Sequence, residues 1–169
     1  MLKYLIVLSA LALAGSAQAS SPDDDAPILA TVQRFFDALG ARDTATMRQI
    51  VLPGSIYTAV STQPDGTTRI GRMAADETFN KAIGPGYLER MWSPVVSRRG
   101  AMATVTAPYE FQVDGKTTHC GVDVFGLIKA EAEWKIASFM WTQEPDACAE
   151  LKATEMRPTP PKAPATRPR

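Results

Sequence analysis

The sequence predicts an α+β fold in which three N-terminal helices pack on a strongly curved antiparallel sheet, so that the two layers form a cone around one pocket. Two observations lead to this prediction. Helix-length segments, each with an apolar stripe, come first, between residues 26 and 83. Three consecutive strands come last, over Ala101–Val113, Thr118–Ile128 and Trp134–Thr142, and Asp114-Gly115 is a turn between the first two.

The chain begins with the pattern of a secretory signal peptide over residues 1–19. Lys3 supplies the positive charge, Leu5–Ala14 is shorter than the roughly 20 apolar residues that span a bilayer, and Ala17-Gln18-Ala19 is a cleavage motif. The alternative is an anchor that is never cut. Cleavage leaves 150 residues starting at Ser20, exported to the periplasm or secreted, without a membrane span.

Helix signals appear in order along the first half of the mature chain. Three aspartates at 23–25 favour a helix start near Ala26-Pro27, apolar residues recur at 28, 32, 35, 36 and 39, and Gly40 ends the pattern. Asp43 is expected to cap a second, shorter helix that stops at Pro53-Gly54. A third helix is predicted over Arg72–Ile83, followed by a Gly-Pro-Gly break at 84–86.

Three further segments are predicted to be strands. Ser55–Thr62 and Thr67–Ile70 form a hairpin around a Pro-Asp-Gly turn. Tyr87–Ser97 reads as a long strand interrupted by Pro94, which indicates an edge or a bulge. The domain is therefore placed at residues 20–150.

The C-terminal residues 151–169 differ from the domain in composition and charge. Of the 18 basic residues, one lies in the signal peptide and four lie in 157–169, which leaves 13 against 18 acidic residues, a net charge of −5 for 20–156. An acidic domain is a poor partner for nucleic acid, and no such partner is expected. The Pro-rich basic tail contains a P-x-x-P at Pro161–Pro164 and is predicted to be a disordered end, with an envelope tether as the alternative.

Cys120 and Cys148 are the only cysteines. In an oxidising compartment an even count favours a disulfide between them. A metal pair or a catalytic thiol is the alternative, but a single histidine, His119, makes a poor zinc set. No metal site and no cofactor are predicted, because the P-loop, dinucleotide-binding, zinc-protease and serine-hydrolase motifs are all missing from the sequence.

The chain resembles the nuclear transport factor 2-like superfamily, which includes ketosteroid isomerases and SnoaL-like proteins, over about residues 26–148. Within it, the sequence is similar to a lumazine-binding-like group of exported proteins. The resemblance rests on these segments: Val32–Leu39, Ala107–Phe111 with Asp114-Gly115, His119–Phe125 and Trp134–Ser138. It implies a bent, cystatin-like sheet with helices across its concave side, a pocket between them, and dimers formed through the sheet.

A two-residue turn at Asp114-Gly115 predicts the pairing of the strands beside it. It places Glu110 opposite His119, as a cross-strand pair or as a general base with its orienting carboxylate. Asp123 would share their polar face, about 13 Å further along the strand and out of hydrogen-bonding reach of the histidine. His119, Glu110 and Asp123 are therefore the candidate catalytic residues, on the sheet face that is also expected to form a homodimer.

The opposite, apolar face is expected to meet the helices. Tyr57, Trp92 and Tyr109 are the candidate ligand-binding residues of the pocket, with packing in the core as the alternative role. The ketosteroid isomerase resemblance implies a base after the second helix and a tyrosine in the first. This chain has Leu52–Ser55 and Phe35-Phe36 there, which argues against isomerase chemistry.

The leading hypothesis is an exported domain that binds a small apolar or aromatic molecule in its cone. Two alternatives remain: an acid–base enzyme of isomerase or hydrolase type that uses Glu110 and His119, or Asp123, and a structural envelope module that binds a partner through the tail.

Overall fold

The structure, a computed structural model, describes residues 22–80 and 86–155. The signal peptide, the basic tail from 157 onwards and most of the Gly-Pro-Gly break lie outside these ranges. Within them, no helix has both the length and the apolar character needed to cross a bilayer. The helices are α1 Pro22–Ala41, α2 Thr44–Ile50, α3 Ala75–Asn80, the 3₁₀ helix Pro145–Ala147 and α4 Cys148–Ala153. The strands are β1 Val51–Thr62, β2 Thr68–Ala74, β3 Tyr87–Met91, β4 Val95–Arg99, β5 Met102–Val113, β6 Lys116–Ala130 and β7 Glu133–Gln143.

The predicted α+β cone is confirmed, with one change in the sheet. The seven strands form one sheet in the order β2-β1-β7-β6-β5-β3, and β4 pairs with β5 beside β3. The sheet is mixed, because β1 runs parallel to β7 while the other pairs are antiparallel. The first strand therefore lies second from one edge of the sheet, between β2 and β7.

Helix α1 forms because its apolar residues recur on one side. Ile28 and Val32 are fully buried, and Phe35 meets the rings of Tyr57, Phe125 and Phe139 edge to face at 5.4–6.0 Å. Each buried aromatic or branched side chain stabilises such a layer contact by roughly 1.5–3 kcal/mol. The helix therefore covers the concave side of the sheet.

Several boundaries differ from the prediction. The first helix already begins at Pro22, and α2 is capped by Asp43, whose side chain accepts a hydrogen bond from the Thr46 amide at 3.0 Å. Strand β1 begins directly after α2, so Pro53-Gly54 lies at an irregularity inside the strand and does not stop the helix. Strand β2 runs to Ala74, and α3 therefore begins later than the predicted Arg72.

The long strand predicted around Pro94 is two edge strands. Strands β3 and β4 both pair with β5, and the residues between them, at 92–94, include Ser93 at φ 45°. A proline is tolerated here because it lies outside both ladders. The domain also extends past residue 150, because α4 continues to Ala153.

A β-bulge in the β5–β6 hairpin changes which side chains face the cone. The turn is as predicted, with Val113 opposite Lys116, but Gln112 pairs with Thr117 while Phe111 pairs with His119. Thr118 is therefore the extra residue of a bulge. The one-residue shift moves every later side chain of β6 to the other face of the sheet.

The predicted faces of β6 are accordingly wrong. Glu110 pairs with Cys120 on the outer face, while Asp123 pairs with Ala107 and turns into the core. The expected Glu110–His119 pair does not form, and no single polar face carries both residues. Burial fixes the register, because Phe125 and Leu127 lie on the same face of β6 as Asp123 and are buried with it.

Candidate functional site

A cavity of about 190 Å³ lies between the helices and the concave side of the sheet. Its walls are mostly apolar, and six of the lining side chains are aromatic: Phe35, Tyr57, Tyr109, Phe111, Phe139 and Trp141. A dry apolar cavity of about 150 Å³ is large enough to hold benzene. The cone can therefore accommodate a molecule with a single ring.

The aromatic wall is assembled by strand register. Tyr57 of β1 pairs with Phe139 of β7, and Phe139 pairs with Phe125 of β6, so these side chains form a row across the sheet. Phe139 stacks on Phe125 at 4.3 Å and on Trp141 at 4.8 Å between ring centroids. Such packing holds the rings in place and makes the cavity pre-formed.

Tyr109 crosses the sheet above a glycine. A Cβ atom added to Gly121 would clash most severely with the carbonyl oxygen of Thr142 and would also lie 2.8 Å from the Tyr109 ring, so only glycine leaves room for both groups over β6. The Tyr109 hydroxyl then donates to the carbonyl oxygen of Thr142 at 2.7 Å. Burial, reinforced by the nearby carboxyls of Asp123 and Glu89, raises the pKa of this phenol, which is therefore a neutral group already engaged by the backbone.

Two buried carboxyl groups meet beneath the cavity. Glu89 of β3 lines the cavity and is 7% exposed, while Asp123 of β6 is fully buried behind it. Among the described residues, no N–H or O–H group donates a hydrogen bond to either oxygen of Asp123. Its contact with Glu89 is a hydrogen bond only when one of the two carboxyls carries a proton. A buried unpaired carboxylate is costly, so the pair has a strong reason to retain protons.

Both carboxyls have raised pKa values for the same main reason. Burial raises the pKa of Glu89 to about 8, although the hydrogen bond with Asp123 lowers it. Burial also raises the pKa of Asp123 well above its ordinary value, and the charge of Glu89 raises it further. The hydrogen bond between the two carboxyls acts in opposite directions on them: it lowers the pKa of Glu89 and raises the pKa of Asp123.

His119 lies at the same cavity. Its ring stacks on Phe111 at 5.2 Å and meets Tyr109 edge to face at 5.7 Å, and its Nδ1 atom lies 2.9 Å from the Thr118 hydroxyl. Burial lowers the pKa of the imidazole, so the ring is neutral at neutral pH. The cavity therefore contains uncharged polar groups at neutral pH.

Tyr57 adds a further buried polar atom without a hydrogen-bond partner to the cavity wall. Its hydroxyl is buried and makes no hydrogen bond with the described residues. Burial, with a smaller effect of the Asp76 charge, raises the pKa of this phenol, which therefore stays a neutral donor. Since a buried hydroxyl normally has a partner, the atom fits an oxygen supplied by a ligand.

Glu110 belongs to a different cluster, on the outer face of the sheet. It forms ion pairs with Arg90 at 3.0 Å and Lys152 at 2.5 Å, and it also accepts a hydrogen bond from Thr117. Burial acts to raise the pKa of Glu110, but hydrogen bonds led by those from Lys152 and Thr117 outweigh it and hold the pKa at about 2. Glu110 is thus a permanent carboxylate and a poor general base.

This outer cluster holds α4 against the sheet. The disulfide predicted between Cys120 and Cys148 is present and joins β6 to the start of α4. Trp92 donates from Nε1 to the Leu151 carbonyl at 3.2 Å and to the Thr154 hydroxyl at 3.0 Å. Trp92 therefore supports the C-terminal helix and does not line the cavity, contrary to the prediction.

No protein-family model matches the sequence. No curated protein matches it either. Solved structures do match. A protein of unknown function with a cystatin-like fold from Nostoc punctiforme is 11% identical, with a TM-score of 0.59 over 75% of this chain and 95% of that chain. A protein of unknown function from Shewanella baltica, described as NTF2-like, is 16% identical, with a TM-score of 0.52 over 76% of this chain and all of that one.

A third structure, a candidate dehydratase of the NTF2-like family from Streptomyces avermitilis, is 17% identical, with a TM-score of 0.55 over 73% of this chain and 98% of that chain. At identities this low, the structural similarity establishes a shared fold and nothing more. The chain has the nuclear transport factor 2-like fold. The predicted resemblance is thereby confirmed at the level of the fold, while the exported subgroup stays a prediction.

The NTF2-like cone brings together only part of the predicted site. Tyr57, Tyr109 and His119 all line the cavity, and Asp123 lies directly behind it. Glu110 is on the other side of the sheet. The roles of these residues in binding or catalysis remain proposals. Their positions divide them into a group at the cavity and Glu110, which belongs to the cluster on the outer face.

Glu89 is the site residue that the sequence analysis missed. It lies between Tyr87 and Met91, which are the other two inward-facing residues of the same short strand. A carboxylate at an inward-facing, otherwise apolar position of a strand is unusual, because Glu is rarely buried without a partner. That alternation is visible in the sequence and could have singled out Glu89.

Proposed function

We propose that the protein is an exported binder of a small, mostly apolar ring molecule, which occupies the cone cavity. The observation that carries the proposal is the cavity of about 190 Å³ with six aromatic side chains in its walls. Binding sites of this kind are concave, mostly apolar and supplied with few polar groups. Export is supported by the signal-peptide pattern and by the Cys120–Cys148 disulfide, which suits an oxidising compartment.

A pair of identical substitutions tests the binding proposal. Met73 lines the cavity, whereas Met102 is exposed on the same sheet. Met73→Trp should fill the cavity and weaken the binding of isopropylbenzene, measured by calorimetry, by at least tenfold. Met102→Trp, the matched control, should bind like the wild type. Equal affinity for the wild type and both variants would show that the ligand binds elsewhere.

Acid–base catalysis is the second candidate function, and the buried carboxyl pair favours it. A general acid or base works best when its pKa lies near the operating pH, and Glu89, with a pKa of about 8, is such a group in the cavity wall. Asp123 would then position Glu89, and His119 is near enough to the cavity to contact a substrate. Hydrogen–deuterium exchange at the methyl group of acetophenone tests this candidate, because Glu89→Gln should abolish any exchange that the protein accelerates.

A homodimer through the outer sheet face also remains a proposal. Val122, Val124 and Met140 form an apolar surface there, and Met140 is 46% exposed. Exposed apolar patches commonly mark protein interfaces. If this face forms the dimer, Met140→Lys should yield monomers in sedimentation equilibrium, and an unchanged mass would exclude the face.

A further inference from the structure

We propose that the ligand of the cone cavity carries a carboxylate on a short alkyl chain beyond its ring, and that Arg69, with Ser61 and Gln143, binds this carboxylate. This inference rests on the proposed binding function and adds the chemical class of the ligand. A second cavity, which adjoins the first, supplies the binding groups.

The second cavity, called the side chamber below, has a volume of about 270 Å³. Three residues line both it and the cone cavity, namely Met73, Trp141 and Gln143. Trp141 also stacks on Phe139 of the aromatic wall, with 4.8 Å between the ring centroids. The walls of the two cavities are therefore continuous, and one ligand can extend along them.

Strand register arranges these walls in three rows that run across β2, β1 and β7. The rows are Met73, Tyr57 and Phe139, then Gly71, Ala59 and Trp141, then Arg69, Ser61 and Gln143. All of them lie on the concave face, because alternate residues of a strand point to the same side, and successive rows are about 7 Å apart. The surface thus changes from aromatic, through a row with two small residues, to polar.

The middle row is open because Gly71 has no side chain. Its backbone lies outside the left-handed region, and an added Cβ would meet only the Cβ of Ala59, in an ordinary contact at 3.8 Å. Neither the backbone nor the packing therefore requires glycine here. A glycine inside a strand weakens the strand and often marks a place where a ligand approaches the backbone closely. Gly71 and Ala59 leave room for an alkyl chain.

The third row supplies hydrogen-bond donors that suit a carboxylate. Arg69 is exposed and forms no ion pair with any residue that the structure describes. The Ser61 hydroxyl accepts a hydrogen bond from the Gln63 amide at 3.0 Å, which leaves its own proton to donate. Gln143 adds a side-chain amide, and the planar fork of an arginine matches the two oxygens of a carboxylate.

The charges around the two cavities favour an anion over a cation. Among the described residues that line either cavity, Glu89 is the one acidic residue, and burial raises its pKa to about 8, so that it is neutral at about pH 7. His119 is neutral as well, because burial lowers its pKa. A carboxylate would gain Arg69 as its counter-charge, whereas a cation would meet only this like charge.

Three compounds test the inference by calorimetry at about pH 7. In 4-phenylbutanoate a ring, a chain and a carboxylate are joined, 4-phenylbutylammonium has the same ring and chain with the opposite charge, and isopropylbenzene fills the cone cavity alone. We expect the anion to bind roughly tenfold more tightly than the cation, because only the anion pairs with Arg69. Equal or tighter binding of the cation would overturn the inference.

Two arginines of the same strand make a matched pair of variants. Arg69→Gln should weaken the binding of 4-phenylbutanoate about fivefold, or about 1 kcal/mol, a modest loss because the guanidinium is exposed. The binding of isopropylbenzene should not change. Arg72 pairs with Thr58 and points to the opposite face, so Arg72→Gln removes the same charge and should bind both compounds like the wild type. An equal loss in both variants, or no loss in Arg69→Gln, would overturn the inference.

Gly71→Val tests the path between the ring and the carboxylate. Valine is favoured in strands, and its Cβ has room, so the variant should unfold at no lower urea concentration than the wild type. It should bind isopropylbenzene as before and 4-phenylbutanoate no more tightly than Arg69→Gln does. An affinity for 4-phenylbutanoate that Gly71→Val leaves unchanged would overturn the inference.

The wild type alone separates the inference from the proposed function. Binding of isopropylbenzene without binding of 4-phenylbutanoate would refute the carboxylate site and leave the cone cavity as a binding site. If none of the three compounds bound, the proposed function itself would fail, and the inference with it.

Discussion

Replacing Glu89 with glutamine should remove a pH-dependent cost to folding. In the folded protein burial raises the pKa of this carboxyl from 4.5 to about 8, although a hydrogen bond with Asp123 opposes the rise. In the unfolded chain the carboxyl is hydrated and ionises near its ordinary pKa. Because the folded-state pKa is the higher one, the contribution of Glu89 to stability is complete below about pH 4.5 and is lost as the pH rises through 8.

The magnitude follows from the linkage between protonation and folding. Each pKa unit corresponds to about 1.4 kcal/mol, so the free energy of unfolding of the wild type should fall by about 4 kcal/mol, relative to the Glu89→Gln variant, between about pH 5 and about pH 9. Typical domains have only about 5–15 kcal/mol in total. The effect is thus large enough to measure.

Urea unfolding followed by circular dichroism at several pH values makes the measurement, with the disulfide kept intact. Glu110→Gln is the matched control, because the pKa of Glu110 is held at about 2 and its charge does not change over this range. The difference in the free energy of unfolding between the wild type and Glu110→Gln should be constant with pH. If the difference between wild type and Glu89→Gln were equally constant, the reasoning about the buried pair would be refuted.

Three further outcomes are expected. Gly121→Ala should destabilise the fold by about 1–3 kcal/mol in urea unfolding and weaken cavity binding, because its Cβ would clash with the Thr142 carbonyl oxygen and with the Tyr109 ring; unchanged values would mean that these two groups are not held there. Cys148→Ser should cost roughly 3.5 kcal/mol in the same assay, since the disulfide closes a loop of about 29 residues, and a change below about 1 kcal/mol would contradict the chain-entropy argument. For Glu110, the folded-state pKa is lowered, so its contribution is present above about pH 4.5 and is lost as the pH falls through 2. Acid titration should show about 1–2 kcal/mol for this carboxyl, after allowance for solvent around its partly exposed cations, and no effect of Glu110→Gln on ligand binding at neutral pH.

Local signals in the sequence were sufficient for most of the fold. The Asp43 cap, the apolar stripe that includes Phe35, and the two-residue turn at Asp114-Gly115 all act through neighbouring residues, and all appear in the structure. The disulfide followed from parity and compartment. These features need no knowledge of distant contacts.

The candidate site depended on a feature that local signals do not contain. A bulge at Thr118 costs one ladder position, and nothing in the turn chemistry required it. The tertiary signal was present, because the assumed register would have turned Phe125 and Leu127 away from the helices. Burying those two side chains brings Asp123 inside with them, and this burial outweighs an ideal hairpin ladder.

The C-terminal helix was missed for a related reason. Helix α4 is only six residues long, too short to be stable alone, and it is held by contacts that are distant in the sequence. Those contacts are the ion pair of Lys152 with Glu110, the hydrogen bonds of Trp92 and the disulfide. A short helix of this kind is stabilised by its anchors rather than by its own propensity.

The most direct test of the cavity as a binding site is methyl NMR of the folded protein during titration with isopropylbenzene. Met73 lines the cavity and Met102 lies exposed elsewhere on the sheet, so the two methyl groups report on two places in one experiment. We predict a saturable shift of the Met73 signal with the Met102 signal unchanged. A Met73 signal that does not move at saturating ligand would contradict the proposed function.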